Sequence, residues 1–225
     1  VNVKKVFISE SKRHDWGMTG DVILPGLDVN DYGGYRGDYP SVLRVGNLIK
    51  ERDLMMGFAT GEAILSGLPS ITLGLNPHIH GARLSSSFDD LLEQYRSLRV
   101  YLHTTSNDYE DGYNLSLLEA MAVGMPVISI ANKTSPINDG INGYISSDIQ
   151  YLRTCAVRLL DDPNLANYFG QKARDTVREK FPQIKFLQLW IKSIEAAIIE
   201  FLDDSQKELS GEAVEIKTQQ ENPSM

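Results

Sequence analysis

The sequence has a single cysteine, Cys155, no glycine-rich dinucleotide fingerprint, and no uninterrupted apolar run long enough to cross a bilayer. Each absence excludes a class. One thiol cannot close an intrachain disulfide, so a disulfide-stapled secreted scaffold is ruled out and a reducing, cytoplasmic setting is expected. The Asn-X-Ser/Thr triplets at Asn114 and Asn132 then read as chance rather than as glycosylation acceptors. Neither G-x-G-x-x-G after a strand nor G-x-x-x-x-G-K-[ST] occurs, which argues against a dinucleotide-dependent oxidoreductase and a P-loop NTPase. The most apolar stretch, FLQLWIKSIEAAIIEFL from Phe186, is interrupted by Lys192 and Glu195, so no transmembrane segment is expected and membrane association could only be peripheral.

Positive charge is also short. Twenty-two Lys and Arg against 30 Asp and Glu leave a net charge of −8, which opposes a nucleic-acid partner, because counterion release needs clustered cations. A small anionic ligand in a local positive pocket stays compatible with that balance. No Cys/His cluster has zinc spacing; His78 and His80 in NPHIHG stand two apart and read as polar loop residues, so no metal site is expected. The chain opens at Val1 without a basic then apolar leader, and it lacks an initiator methionine, which suggests a fragment, or one half, of a longer protein.

What is present has the rhythm of strand-helix-strand units. Short apolar runs alternate with helical patterns: KKVFIS, DVILPG, SVLRVG, the crossover RDLMMGFATGEAILSG, PSITLGLN, the helix FDDLLEQYRS, then RVYLHT. The expected fold is α/β, a Rossmann-like parallel sheet with helices on both faces. A helix is predicted from Leu115 to Val123, stopped by Gly124 and followed by the strand MPVISIA. After the turn signals at Asn138-Asp139-Gly140 and Asn142-Gly143 only helices are predicted: Ile149 to Leu160, Pro163 to Lys180 and Gln183 to Leu202. Residues 1–205 make one expected domain, and 206–225 are read as a disordered polar tail.

The informative corner lies within NDYEDGYNLSLLEAMAVGMPVIS, Asn107 to Ser129. With Asn114 as N-cap, the backbone N–H groups of Leu115, Ser116 and Leu117 point out of the positive end of the helix, which makes an anion site. In an open parallel sheet that end lies beside the carboxyl ends of the strands, where ligands bind. Glu119 sits one turn further in and leans back toward the same cleft, where a carboxylate can accept two hydrogen bonds from a ribose diol. Asp111 would approach from the loop side. A plainer reading suits the same pattern: Asp111 stabilises the helix start by about 0.3–1 kcal/mol through the dipole, and Glu119 is a solvated helix residue.

At these residues the sequence resembles the C-terminal, donor-binding half of GT-B fold retaining glycosyltransferases of the family 4, group 1 kind. DGYNLSLLEAMAVGMPVIS is similar to that family's E-G-F-G-L-x-x-x-E-A-M-A-x-G-x-P-V-I-A. VILPGLD, VLRVGNLIKERD and DGINGYI resemble, in order, its V-I-P-N-G-V-D, V-G-R-L-x-x-x-K-G and D-G-x-N-G-x-L stretches. The resemblance spans roughly Asp21 to Phe181. It implies that Glu119 binds the ribose of a nucleotide-sugar donor, that Asp111 lies by the transferred sugar, and that Arg52 neutralises the diphosphate. It further implies that Gly46 lets the phosphate approach the backbone, and that Gly112 and the Asn114–Leu115–Ser116 helix start meet sugar and phosphates. The sequence departs from the family pattern at three places: Asp111 replaces a glutamate, with Glu110 beside it; Asn114 replaces the second loop glycine; and Asn47 stands where an arginine is usual. Lys50 and Lys133 are candidates for the missing charge, though either also suits a plain surface role.

The resemblance implies metal-independent transfer of a sugar to an acceptor with retention, the diphosphate leaving against Arg52 and helix N–H groups. No cofactor is implied beyond the donor as substrate. The acceptor is a glycan, lipid or small molecule, and an acceptor-binding N-terminal domain outside this chain is implied as partner. Two alternatives stay open: a non-catalytic sugar-nucleotide-binding domain, and a GT-B-like epimerase.

Overall fold

A computed structural model describes residues 3–109 and 112–220. Five parallel strands form the main sheet: β3 (Tyr39–Val45), β4 (Ser70–Leu73), β5 (Leu98–His103), β6 (Val127–Ile130) and β7 (Tyr144–Ser146), in the order β4-β3-β5-β6-β7. β1 (Val6–Phe7) and β2 (Asp21–Val22) pair in parallel only with each other. The chain leaves β3 for one edge through β4 and returns to the other side of β3 with β5. The strand order therefore reverses between β3 and β5, the place where ligands of open α/β sheets bind.

Alternation along the strands feeds two cores. Leu43, Tyr101 and Val127 face α4 (Phe88–Ser97), α5 (Leu115–Val123) and α7 (Pro163–Lys180). Val42, Val100, Leu102 and Ile128 face α3 (Phe58–Leu65) and α6 (Ile149–Asp161). Helices on both faces of a parallel sheet are the expected architecture, and strands buried on both sides read as near-continuous apolar runs for this reason. Cys155 is buried in the second core as a free thiol.

Helix starts follow local chemistry. Asp148 and Asp162 cap α6 and α7 by accepting from N–H groups two and three residues on, and Pro163 takes the first helical position of α7. α5 begins at Asn114, whose Oδ1 accepts from the Leu117 N–H at 3.0 Å, and ends at Gly124 in the left-handed region with φ 95°. Six of its nine residues are buried, so both of its ends need partners inside the molecule. The Arg174 guanidinium of α7 donates to the Ala122 and Val123 carbonyls at its C-terminus, and also to Gly33 and Val29. α7 passes so close there that a Cβ on Gly170 would lie 1.8 Å from the Gly124 oxygen.

Several boundaries differ from the sequence reading. The expected crossover helix breaks into α2 (Asp53–Met56) and α3 at Gly57, where φ is +61° and a Cβ would meet the Thr104 oxygen at 2.3 Å. β7 falls in the stretch read as helices only; three residues are too few to show a period of two. A short helix, α1 (Glu10–Asp15), capped by Ser9, has no buried residue and so no apolar stripe to betray it. Finally α8 runs from Gln183 to Gln220, through most of the stretch from 206 read as a disordered tail. Ala, Glu, Gln and Lys there are good helix formers, and extending an existing helix avoids the cost of nucleation. Residues 221–225 lie outside the described residues.

α8 packs on the small sheet. Phe186 fills the space over Gly26, and the Ser193 hydroxyl donates to Asp21 at 3.0 Å. Its other side leaves Ile184, Leu187, Ile191, Ile194 and Ile198 exposed.

The Gly170 contact separates two physical effects. Alanine should gain about 1 kcal/mol in a helix interior by propensity, but overpacking against Gly124 should outweigh it. Gly170→Ala is therefore expected to lower stability by about 2 kcal/mol in urea unfolding. A raised midpoint would show that α7 and α5 do not touch as described.

Candidate functional site at the carboxyl edge of the sheet

The ends of β3, β4 and β5 meet the start of α5. Gly46 follows β3; its N–H donates to the Leu73 oxygen at 3.0 Å and its carbonyl accepts from Asn76 Nδ2 at 2.8 Å. Asn76 is buried and also accepts from the Ile49 N–H at 2.9 Å. Gly74, at φ +116°, presses on Gly46: a Cβ there would lie 2.1 Å from the Gly46 oxygen. Gly46 itself is roofed by Met56 and Ile49, whose atoms would lie 3.0 and 3.2 Å from an added Cβ.

Asn47 has a structural job. Its Oδ1 accepts from the Leu75 N–H at 2.8 Å, which ties the loop after β3 to the loop after β4. The next residue, Leu48, stands at φ 53°, a strained position for a branched side chain, and its N–H donates to the Leu75 oxygen at 2.8 Å. Strain of this kind gathers at ligand sites.

The cations sit around this edge unevenly. Arg52 is exposed beside α2, its guanidinium 2.8 Å from the Met55 sulfur, and it forms no ion pair among the described residues. Lys50 lies over the Phe58 ring at 5.8 Å. Lys133 is engaged elsewhere: its Nζ is 3.3 Å from the Asp15 carboxylate of α1, and its N–H donates to Asn107 Oδ1 at 2.8 Å. Sequence reasoning missed Arg44, a buried cation within β3. It is 5% exposed, bonds Thr72 Oγ1, and pairs with Glu62 at 2.9 Å. Its signal was a charge inside an apolar strand run.

The α5 corner is built from polar clamps. Gly112, at φ +114°, is covered by Ile8 and accepts from the Thr134 hydroxyl at 2.9 Å. Asn132 donates to the Thr105 carbonyl and accepts from the Thr134 N–H at 3.0 Å. Asn114 lines two small clefts. One is shared with Gly112, Leu117, Asn132 and Thr134, the other with Arg44, Ile49, Met56 and Thr104, and His103 at the end of β5 lines both. Leu115 is exposed and Ser116 half-buried.

Glu119 lies apart from these two clefts. Half-buried, it accepts from the Tyr95 hydroxyl of α4 at 3.3 Å. Burial raises its pKa, and the Tyr95 hydrogen bond partly offsets that. Burial and then the Glu119 charge push the neighbouring Tyr32 up to about 12. A carboxylate so placed is neither a freely solvated helix residue nor a fully enclosed one. Asp111 and Glu110 lie outside the described residues. Among the described residues, no group of three or more His, Cys, Asp or Glu could hold a metal ion, and no helix is long and apolar enough to cross a membrane.

A parallel sheet with two helical layers and a reversal of strand order at β3/β5, with a helix N-terminus at that reversal, define a Rossmann-like α/β unit, here with the fold of one half of a GT-B protein. Residues 68–162 match the family model described as glycosyl transferases group 1. Over 95 residues the chain is 33% identical to a poly(ribitol-phosphate) alpha-N-acetylglucosaminyltransferase of Staphylococcus aureus, covering 40% of this chain and 19% of that one. Among solved structures it is similar to Anabaena HepE in complex with UDP and glucose, with TM-score 0.69, 14% identity, and 84% of this chain and 62% of that chain covered. Sucrose-phosphate synthase from Thermosynechococcus elongatus gives TM-score 0.66, 21% identity and coverage of 85% and 58%. The chain thus spans less than two thirds of each of these proteins.

The Asn47 contact is open to test. Asn47→Ala should cost about 0.5–1.5 kcal/mol, the worth of one net hydrogen bond, and should speed amide exchange at Leu75. Unchanged exchange there would show that the two loops are held by other contacts.

Proposed function

We propose that this chain is the donor-binding half of a glycosyltransferase, which holds a nucleoside diphosphate sugar at the β3/β5 edge for transfer to an acceptor with retention at the anomeric carbon. The observation that carries the reading is the convergence of a strained, glycine-dependent β3 end and the α5 N-terminus at the reversal of strand order. It is supported by the group 1 segment in sequence and by neighbours solved with UDP and with UDP-glucose.

In this reading the α5 N–H groups and Arg52 stabilise the departing diphosphate, charge that develops only as the glycosidic bond breaks. No metal ion is required. Glu119, half-exposed and restrained by Tyr95, takes the ribose hydroxyls, and Asp111 lies by the sugar. The acceptor attacks from the face that the diphosphate leaves, passing its proton to the departing phosphate. Groups from a further domain complete the acceptor side, so this chain alone binds the donor and turns over poorly. The Asn47 contact with Leu75 leaves one fewer cation at the diphosphate, which favours a second reading as a non-catalytic sugar-nucleotide-binding domain; hydrolysis or transfer by the full-length protein separates the two.

Titration calorimetry with UDP, GDP and ADP sugars tests the donor. Arg52→Ala should weaken nucleoside diphosphate binding about ten-fold or more, the worth of a charge-assisted hydrogen bond, while leaving the nucleoside unaffected. Equal loss for both ligands would make Arg52 structural. Glu119→Gln should weaken ribonucleotides, with most of that deficit absent for 2′-deoxy analogues. Identical affinities of wild type and variant for both would remove the ribose role.

A further inference from the structure

His103 has no part in the donor scheme above, yet it stands where the strand order reverses, as the last residue of β5. Its side chain is 6% exposed. Nδ1 lies 3.1 Å from the Ser129 hydroxyl, which itself donates to the Ile130 carbonyl at 2.9 Å. With the hydroxyl hydrogen committed to Ile130, Nδ1 carries the ring proton and donates to Ser129. Nε2 is then a bare acceptor, and it is buried without a hydrogen-bond partner among the described residues. Native structures leave few such atoms, and each calls for a reason. His103 lines both clefts that flank Asn114, at the corner where α5 begins.

Every element around the ring bears on its charge. β6 presents Ser129, the loop after it Asn132 and Thr134, α5 Asn114 and Leu117, the loop after β5 Thr104 and Thr105, and α2 Met56. β3 presents Arg44, which is paired with Glu62, and β5 itself presents Tyr101, whose hydroxyl burial holds protonated; these are the ionisable side chains besides His103 that line the two clefts among the described residues. Burial pushes the imidazole down to about 4 from its usual 6.5. Arg44 is already paired with Glu62 at 2.9 Å, and the positive end of α5 acts in the same direction as burial. An anion seated at α5 offsets the helix end.

We propose that His103 is a proton-dependent anion ligand. When a phosphoryl group docks at the α5 N-terminus, Nε2 takes up one proton from solvent and donates it in a hydrogen bond to a phosphoryl oxygen. No covalent bond forms or breaks. The cation so created stands in for the charge that Asn47 does not provide, and the inference rests on the donor reading given above.

Linkage fixes the sign. Between the free value near 4 and a raised bound value, the free protein is neutral at His103 and the complex is protonated. Binding there takes up a proton, and affinity falls by up to about ten-fold per pH unit as pH rises, becoming flat above the bound value. UDP-glucose suits the measurement because its diphosphate, esterified at both ends, does not titrate near neutrality. Calorimetry on the chain from about pH 5 to 8, in buffers of different ionisation enthalpy, counts the protons taken up. Wild type should approach one per ligand at the acid end, and His103→Gln should bind with no uptake and no pH slope, an outcome that a packing role would not give.

A second measurement needs no variant to fold. Ring nitrogen shifts of His103 are followed by NMR across the same range, with and without sulfate, an anion of fixed charge. Sulfate should raise the His103 pKa. UDP-glucose binding without proton uptake overturns the inference while sparing the donor reading. No UDP-glucose binding, with a sulfate-induced rise, removes UDP-glucose as donor and keeps His103 as an anion ligand. An unmoved His103 pKa with both ligands overturns the inference outright.

Discussion

The structure is organised around a helix that cannot reach solvent along most of its length. α5 is apolar on nearly all sides, and a buried helix leaves four N–H groups and four carbonyls to be satisfied at its ends. The C-terminal end is closed internally. Gly124 turns the chain, the Met125 N–H returns to the Ala120 oxygen at 2.9 Å, and Arg174 covers the last carbonyls. The N-terminal end is only partly closed by Asn114, and it faces the strand edge. One end of the helix is thus fixed by packing, and the other is held by its Asn114 cap at the strand edge.

The strand edge opposite α5 is fixed with similar economy. Gly46 and Gly74 let the β3 and β4 ends approach closely, and Asn47 and Asn76 bind the two following loops together. Gly57 seats the α2/α3 junction on Thr104, and the Ser106 N–H donates to the Met55 oxygen at 2.8 Å. These contacts hold Arg52, His103 and Asn114 around one corner without using any of them as the hinge of the fold. Contacts of this kind fix the orientation of these polar groups in the absence of any ligand.

The two acidic positions that drew attention to the corner behave differently in space. Glu119 is restrained by Tyr95 and sits on the α4 side of α5, away from the clefts at Asn114. Lys133, a substitute cation in the sequence reading, instead pairs with Asp15 of α1.

Local sequence determined much of this architecture. Asn114, the apolar run through Val123 and Gly124 specify α5 by capping, periodicity and a left-handed stop, all properties of neighbouring residues. The same holds for α6 and α7 with Asp148, Asp162 and Pro163, and the motif resemblance made the strand edge beside α5 the place to look. Only the tertiary structure decided what depends on strand order and on contacts between distant residues. Gly74 matters because it meets Gly46, Gly170 because it meets Gly124, and Asn47 because its amide reaches Leu75. His103 read as the end of a strand like any other; its importance appears when β5 is placed beside β3 at the reversal and Ser129 of β6 takes one ring nitrogen. Periodicity carries the information for a helix or a strand within a few residues, whereas a site assembled from several distant segments has no local pattern to reveal it.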